Sequence, residues 1–322
     1  MIKYLELTPL EYNSFISSPY SDEYLAGDDR RAAIVVSGPP HRIAPPGSLP
    51  VVVVVVCAPD DPGPPEADLV VTKEQVPLVL QRIEAAPLAS ATLAVLLRGV
   101  EEMSVDSGLA AESAAYSVLQ SGPEFAAWRS STPLTVEPDA GEVVTTERVD
   151  DRLVVTLNRP HRHNAINAQL RDELSAALAM AWLDDSIRHV TLRGNGESFC
   201  SGGDLGEFGQ RPDPTTAHIT RLARSPARSI HRLKDRITVE VHGATMGGGI
   251  EMAAFAGRVV AAPDTRFALP EIGLGLIPGA GGTVSVTARI GRRRTADLAL
   301  SGREIDAETA LSWGLVDEIA ES

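Results

Sequence analysis

GATMGGGIEMA (243–253) and LPEIGLGLIPGAGGT (269–283) place two carboxylates, Glu251 and Glu271, among glycines, alanines and small apolar residues. A glutamate with apolar neighbours loses hydration, and its pKa rises toward neutrality, the range that suits proton transfer. The MGGGIEM segment also reads as a helix start, where free N–H groups and the helix dipole favour negative charge. Upstream, SFCSGGDL (198–205) ends a strand with two glycines just ahead of Asp204. Without a Cβ, the backbone there can come close to a ligand oxygen. Two amides from separate loops, aimed at one oxygen, form an oxyanion hole in which each donor contributes about 3 kcal/mol. Neither segment matches GxGxxG or GxxxxGK[ST], so dinucleotide and P-loop readings fail.

Around these motifs strands and helices alternate. VVTTERVDDRLVVTLNR reads as a hairpin turning at Asp150 and Asp151, followed by the helix NAQLRDELSAALAMAWLDD and the strand HVTLRGNG. A polar helix at 214–233 and the strand ITVEVHG precede MGGGIEM. This order implies crossover units and a mainly parallel sheet, an α/β fold. The earlier residues have a different grammar. PVVVVVVCAP (50–59) reads as a buried strand between two Pro-rich loops, followed by the short strand DLVV (68–71) and three helical stretches ending near 120. Residues 1–32 receive no assignment, and 128–147 reads as a linker.

The formal charge of −14 argues against a nucleic-acid partner, which needs a basic face. Any phosphate must then meet a local arginine cluster; Arg292, Arg293 and Arg294 form one, or merely open a helix. The two cysteines, Cys57 and Cys200, are neither a disulfide framework nor a metal set, which fits a cytoplasmic location. No basic-then-apolar leader is present, and the valine run is too short for the roughly 20 residues a bilayer requires, so no membrane role is expected.

Taken together, five segments resemble the crotonase (enoyl-CoA hydratase/isomerase) superfamily in family order: NRPHRHNAIN (158–167), FCSGGDL, GATMGGGIEMA, LPEIGLGLIPGAGGT and ALSGREIDAETALSWGLVDEI (299–319). The resemblance implies a repeated ββα spiral core and an acyl-CoA substrate. It implies no metal and no cofactor apart from the coenzyme A that the substrate carries, and a homotrimer or hexamer. Carried over by position, Gly203 and Gly248 supply the oxyanion-hole amides, and Glu251 and Glu271 stand where hydratases keep their two acids. His163, Asn164 and Ala165 fall at the adenine contact; Gly202, Asp204, Leu205 and Gly247 complete the substrate-binding set. The bland alternatives are that Glu251 only complements a helix dipole, that Glu271 is an ordinary loop acid, and that Asp204 braces its loop.

One departure stands out. The family continues past the GLVDEI-like turn through helices that close the site, whereas this sequence ends at Ser322. Residues 64–120 resemble that missing ending, with ADLVV parallel to WGLVDEI and a GLxxE…Y…L helix behind it. The expectation is therefore that 1–135 is a degenerate crotonase unit whose helices complete the core at 143–322, as in a circular permutant. A separate α/β domain is the alternative. Hydration of an enoyl-CoA is the leading activity. Isomerisation, cofactor-free oxygenation of an arylacetyl-CoA and a non-catalytic CoA-ester scaffold are the rivals, since fold alone does not choose.

Overall fold

The computed structural model describes residues 4–21, 31–39, 42–132, 139, 141–209 and 213–321. The N-terminal part carries a parallel sheet whose strands lie side by side in chain order: β1 (Tyr4–Leu7), β2 (Ala33–Val36), β3 (Val52–Val56) and β4 (Leu69–Val71). The valine run explains β3. Alternate side chains face opposite ways, so Val53 and Val55 pack with Tyr12, Ile34 and Leu49, while Val52 and Val54 enter the main core with Leu80, Ile83 and Leu93. Residues 1–32, unassigned from sequence, contribute β1 and the helix α1 (Pro9–Ile16), which Thr8 and Glu11 start as a reciprocal capping box.

Four helices follow: α2 (Val76–Ala85), α3 (Pro87–Val100), α4 (Val105–Gln120) and α5 (Pro123–Ser131). Three of them have proline in the first turn, where its missing N–H costs nothing. Helix α5 corrects the linker reading of 128–147, because its residues to Ser131 are helical and pairing resumes at Val144. Residues 133–138 and 140 lie outside the described residues. Asp139, between them, is buried in an ion pair with Arg159 at 2.6 Å, so the join is tied to the core at that point.

The C-terminal part has the alternating order expected of it. The hairpin β5 (Val144–Val149) and β6 (Arg152–Leu157) turns at Asp150, whose φ of 52° is left-handed. Then come α6 (Ala168–Leu183), β7 (His189–Gly194), α7 (Pro214–Ala223), α8 (Pro226–Arg232), β8 (Ile237–Val241), β9 (Ala244–Met246), α9 (Gly248–Ala253), β10 (Arg258–Ala261) and β11 (Arg266–Ala268). The chain closes with α10 (Gly282–Ile290), α11 (Arg292–Ser301), β12 (Ile305–Asp306), α12 (Ala307–Trp313) and β13 (Glu318–Ile319). Six strands form one sheet in the order β13-β10-β8-β7-β6-β5, parallel except for the hairpin, and β12-β11-β9 form a second. The single helix expected at 214–233 is two, because Pro226 forces Ser225 out of the helical region (φ −104°, ψ 104°).

The two parts share one core: Leu97, Leu109 and Tyr116 from α3 and α4 belong to the same buried cluster as Phe255, Ile272, Val284 and Leu298. The Arg292–Arg294 run is engaged structurally. Arg292 and Arg293 donate to the carbonyls of Pro65 and Pro62, clamping the Pro-rich loop, and Arg294 lies over the Trp313 ring.

Candidate active site

Parallel pairing of β9 with β11, Met246 opposite Ala268, delivers the chain segments after both strands to the same end of the sheet. The Gly247 N–H donates to Ala268 O at 2.9 Å, so the turn into α9 and the turn carrying Glu271 lie side by side. Gly247 has φ 47° and ψ −124°, a conformation that suits glycine, and a Cβ there would strike Glu271 Oε1. The 198–205 loop runs alongside: Met246 N donates to Cys200 O at 3.0 Å, and Cys200 N to Ala244 O at 3.2 Å.

These turns, together with α4 and α7, enclose a cavity of about 240 Å³. Glu251 and Glu271 both line it, 1% and 8% exposed, as do Gly203 and Gly248. Among the described residues neither the Gly203 nor the Gly248 N–H has an acceptor within the protein, so both amides are unspent. Helix geometry explains the second, because the first N–H groups of a helix have no partner in it. Ile166 fixes the first loop from the far side, donating to Gly202 O at 2.8 Å and accepting from Asp204 N at 2.9 Å.

Each glutamate is held differently. Glu251 Oε2 accepts the N–H groups of Ala280 at 2.7 Å and Gly282 at 2.8 Å, at the start of α10. Glu271 Oε2 is buried and has no hydrogen-bond partner among the described residues. Burial pushes the Glu271 carboxyl up to about 8. It also holds Glu251 well above the ordinary range, with the nearby Glu271 and Glu112 carboxylates adding to the rise and the two N–H donors opposing it.

A third carboxylate was not legible as a site residue. Glu112, on α4 and 1% exposed, accepts Gly281 N at 2.7 Å and both Thr283 N and Thr283 Oγ1 at 2.8 and 2.7 Å. Glu251 and Glu112 thus take alternate amides of the 280–283 run. Burial pushes Glu112 up to about 7. Tyr116, one turn on, lies against Gly279, where a Cβ would meet its ring. The only local sign was a glutamate in the small-residue run GLAAESAAY; the long-range contact to residues 281 and 283 leaves no mark in the sequence.

The remaining expected residues divide. Asp204 lines the cavity, but its carboxylate is spent on Gly206 N at 2.9 Å and on Arg159 at 2.7 Å, a bracing role. Gly202 stands behind the cavity with φ 97°, close to Met246 O and Gly248 N. Leu205 is 40% exposed, outside the cavity lining. His163, Asn164 and Ala165 do not line it either. The Asn164 side chain is buried, accepting Arg159 N and donating to Asn195 O and Ser198 O, and so locks the turn before Ile166. His163 pairs with Ser198 Oγ at 3.1 Å.

The fold, the paired acids and the two free amides define a protein of the crotonase class. Residues 150–322 match the enoyl-CoA hydratase/isomerase family, and the chain belongs to it. It is similar to the mevalonyl-coenzyme A hydratase of Beauveria bassiana, 38% identical over 175 residues, covering 52% of this chain and 62% of that protein. It is also similar to the 2,3-dehydroadipyl-CoA hydratase of Escherichia coli, 36% identical over 167 residues, covering 52% and 65%. The chain therefore spans less than two thirds of the length of these relatives. An enoyl-CoA hydratase structure from Thermoplasma volcanium superposes with a TM-score of 0.51 at 32% identity, over 56% of this chain and 73% of that one.

Proposed function

We propose that this chain hydrates the C2=C3 double bond of an enoyl-CoA thioester. The carrying observation is that two buried carboxylates and two unspent backbone amides line one cavity. In this scheme the Gly203 and Gly248 N–H groups hold the thioester oxygen and stabilise the enolate that forms, each contributing about 3 kcal/mol. One carboxylate takes a proton from water as it attacks C3, and the other delivers a proton to C2. The raised proton affinities of Glu251 and Glu271 support proton delivery near neutral pH, and interacting acids of this kind share their protons, so the two roles belong to the pair. Coenzyme A enters as part of the substrate, and the scheme uses no separate cofactor.

The test is loss of the ultraviolet enoyl-thioester band with crotonyl-CoA and with longer and aryl analogues. Wild type is expected to turn over at least one of them, and Glu251→Gln and Glu271→Gln to lose two or more orders of magnitude in kcat. Binding of CoA esters without turnover of any would point instead to a scaffold. Full activity in either glutamine variant would remove that glutamate from the scheme.

The N-terminal part enters the same proposal as a segment that closes the site. Helix α4 supplies Glu112 and Tyr116 to the cavity wall, and β1 to β4 repeat the sequential parallel order of β6, β7 and β8. Both features support descent from a duplicated and then permuted unit.

A further inference from the structure

Four arginines line the cavity: Arg171, Arg221, Arg224 and Arg228. Three of them have an aspartate within ion-pair distance. Arg171 and Arg224 both pair with Asp172, and Arg228 lies 2.8 Å from Asp106. Arg221 has no carboxylate within 4.0 Å among the described residues. It sits one turn beyond the buried Ala217 on α7, with its guanidinium 4.6 Å from the centre of the Tyr116 ring. Its Nε donates to Ser113 Oγ at 3.0 Å, and its Nη2 to Ser113 O at 3.3 Å and to Ser117 Oγ. Its Nη1 donates to nothing among the described residues.

The fork is therefore held in place on one side and free on the other, in a partly desolvated position. A planar guanidinium with its orientation fixed loses little freedom when it takes a carboxylate. Glu112 and Tyr116 on α4 act on it electrostatically, and His218 on its own helix shares the Ser113 hydroxyl at 2.9 Å. Glu112 is committed to the amides of Gly281 and Thr283, so it leaves the Nη1 side of Arg221 open. Glu251 and Glu271, where the thioester end of a substrate would react, line the same cavity.

We propose that Arg221 is a specificity residue that receives a carboxylate at the far end of the acyl chain, so that the preferred substrates are thioesters of dicarboxylic acids. This rests on the acyl-CoA reading of the site. A second source of the same chemistry is a phosphate of coenzyme A, and the test separates the two.

Dissociation constants are measured by calorimetry for saturated CoA thioesters in matched pairs, one ending in a methyl and one in a carboxylate: butyryl and succinyl, hexanoyl and adipyl, octanoyl and suberyl. Wild type is expected to bind the carboxylated member about tenfold or more tightly at the length that fits, on the scale of a charge-assisted hydrogen bond. Arg221→Met is expected to abolish that preference and Arg221→Lys to keep part of it, with circular dichroism confirming that both variants fold. A methyl preference at every length in wild type overturns the proposal without use of any variant. Equal weakening of both members in Arg221→Met also overturns it, and assigns the residue to coenzyme A. Saturated esters need no turnover, so the selectivity stands or falls apart from the hydration chemistry, whereas failure to bind any CoA ester sinks both.

Discussion

Gly282→Ala isolates the position of one carboxylate. Gly282 begins α10 with an ordinary helical backbone, so alanine there is not strained by φ, and its helix propensity exceeds that of glycine by up to about 1 kcal/mol. What the new Cβ meets is Glu251: Cγ at 2.5 Å, Oε2 at 2.9 Å and Cδ at 3.0 Å. Carbon atoms rest at about 3.5–4.0 Å, so the Glu251 side chain must retreat by roughly 1 Å. That movement stretches its hydrogen bonds from Ala280 and Gly282, now 2.7 and 2.8 Å, and in the proposed scheme moves the carboxylate off the reacting carbons. Displacement of a catalytic group by about 1 Å costs on the order of a hundredfold in rate. Overpacking of about 1–3 kcal/mol is partly offset by the propensity gain, so the expected variant folds, with Tm lower by a few degrees. The assay is kcat and KM for crotonyl-CoA hydration beside a thermal melt. A variant with wild-type kcat and wild-type Tm refutes the claim that Glu251 must occupy its present place.

Three further outcomes follow from the buried acids and the shared core. Glu112, Glu251 and Glu271 all hold protons above the ordinary carboxylate value of 4.5, so the folded chain binds protons there that the unfolded chain has released; their contribution to stability is fullest below about 4.5 and is lost as pH rises through about 8. Glu271→Gln deletes one such group, so denaturant midpoints at pH 5 and pH 8 should lie closer together than in wild type; an unchanged gap contradicts the raised value. Glu112→Gln keeps the shape but removes a charge that disfavours ionisation of Glu251, so the activity limb governed by Glu251 should move to lower pH, with kcat reduced about tenfold through looser support of the 280–283 run. A pH profile superposable on wild type would show that Glu112 serves folding alone. Residues 143–322 expressed without 1–135 should aggregate, since Phe255, Gly279 and Val284 lose the Leu109 and Tyr116 cover, and co-expression of the two parts should restore solubility. A soluble, active 143–322 fragment would end the permutation proposal.

How much could be read without coordinates depended on the range of the interactions. Local patterns determined the alternation of strands and helices from 143 onward, the hairpin at Asp150, the burial of the valine strand and the family to which the five motifs point, because turn chemistry and side-chain periodicity are written within a few residues. The glycines at 202, 203, 247 and 248 and the acids at 251 and 271 were legible for the same reason. Only the tertiary structure decided that strands β9 and β11 bring both acids to one end of the sheet, that Glu112 shares the 280–283 amides with Glu251 across 169 and more residues of chain, and that Arg221, among the described residues, is the one cavity arginine without a carboxylate at ion-pair distance. It also showed that the Asn164 side chain is a buried structural lock. Such facts depend on which surfaces meet when the N-terminal helices close over the core, and packing between distant segments leaves no periodicity in the chain to read.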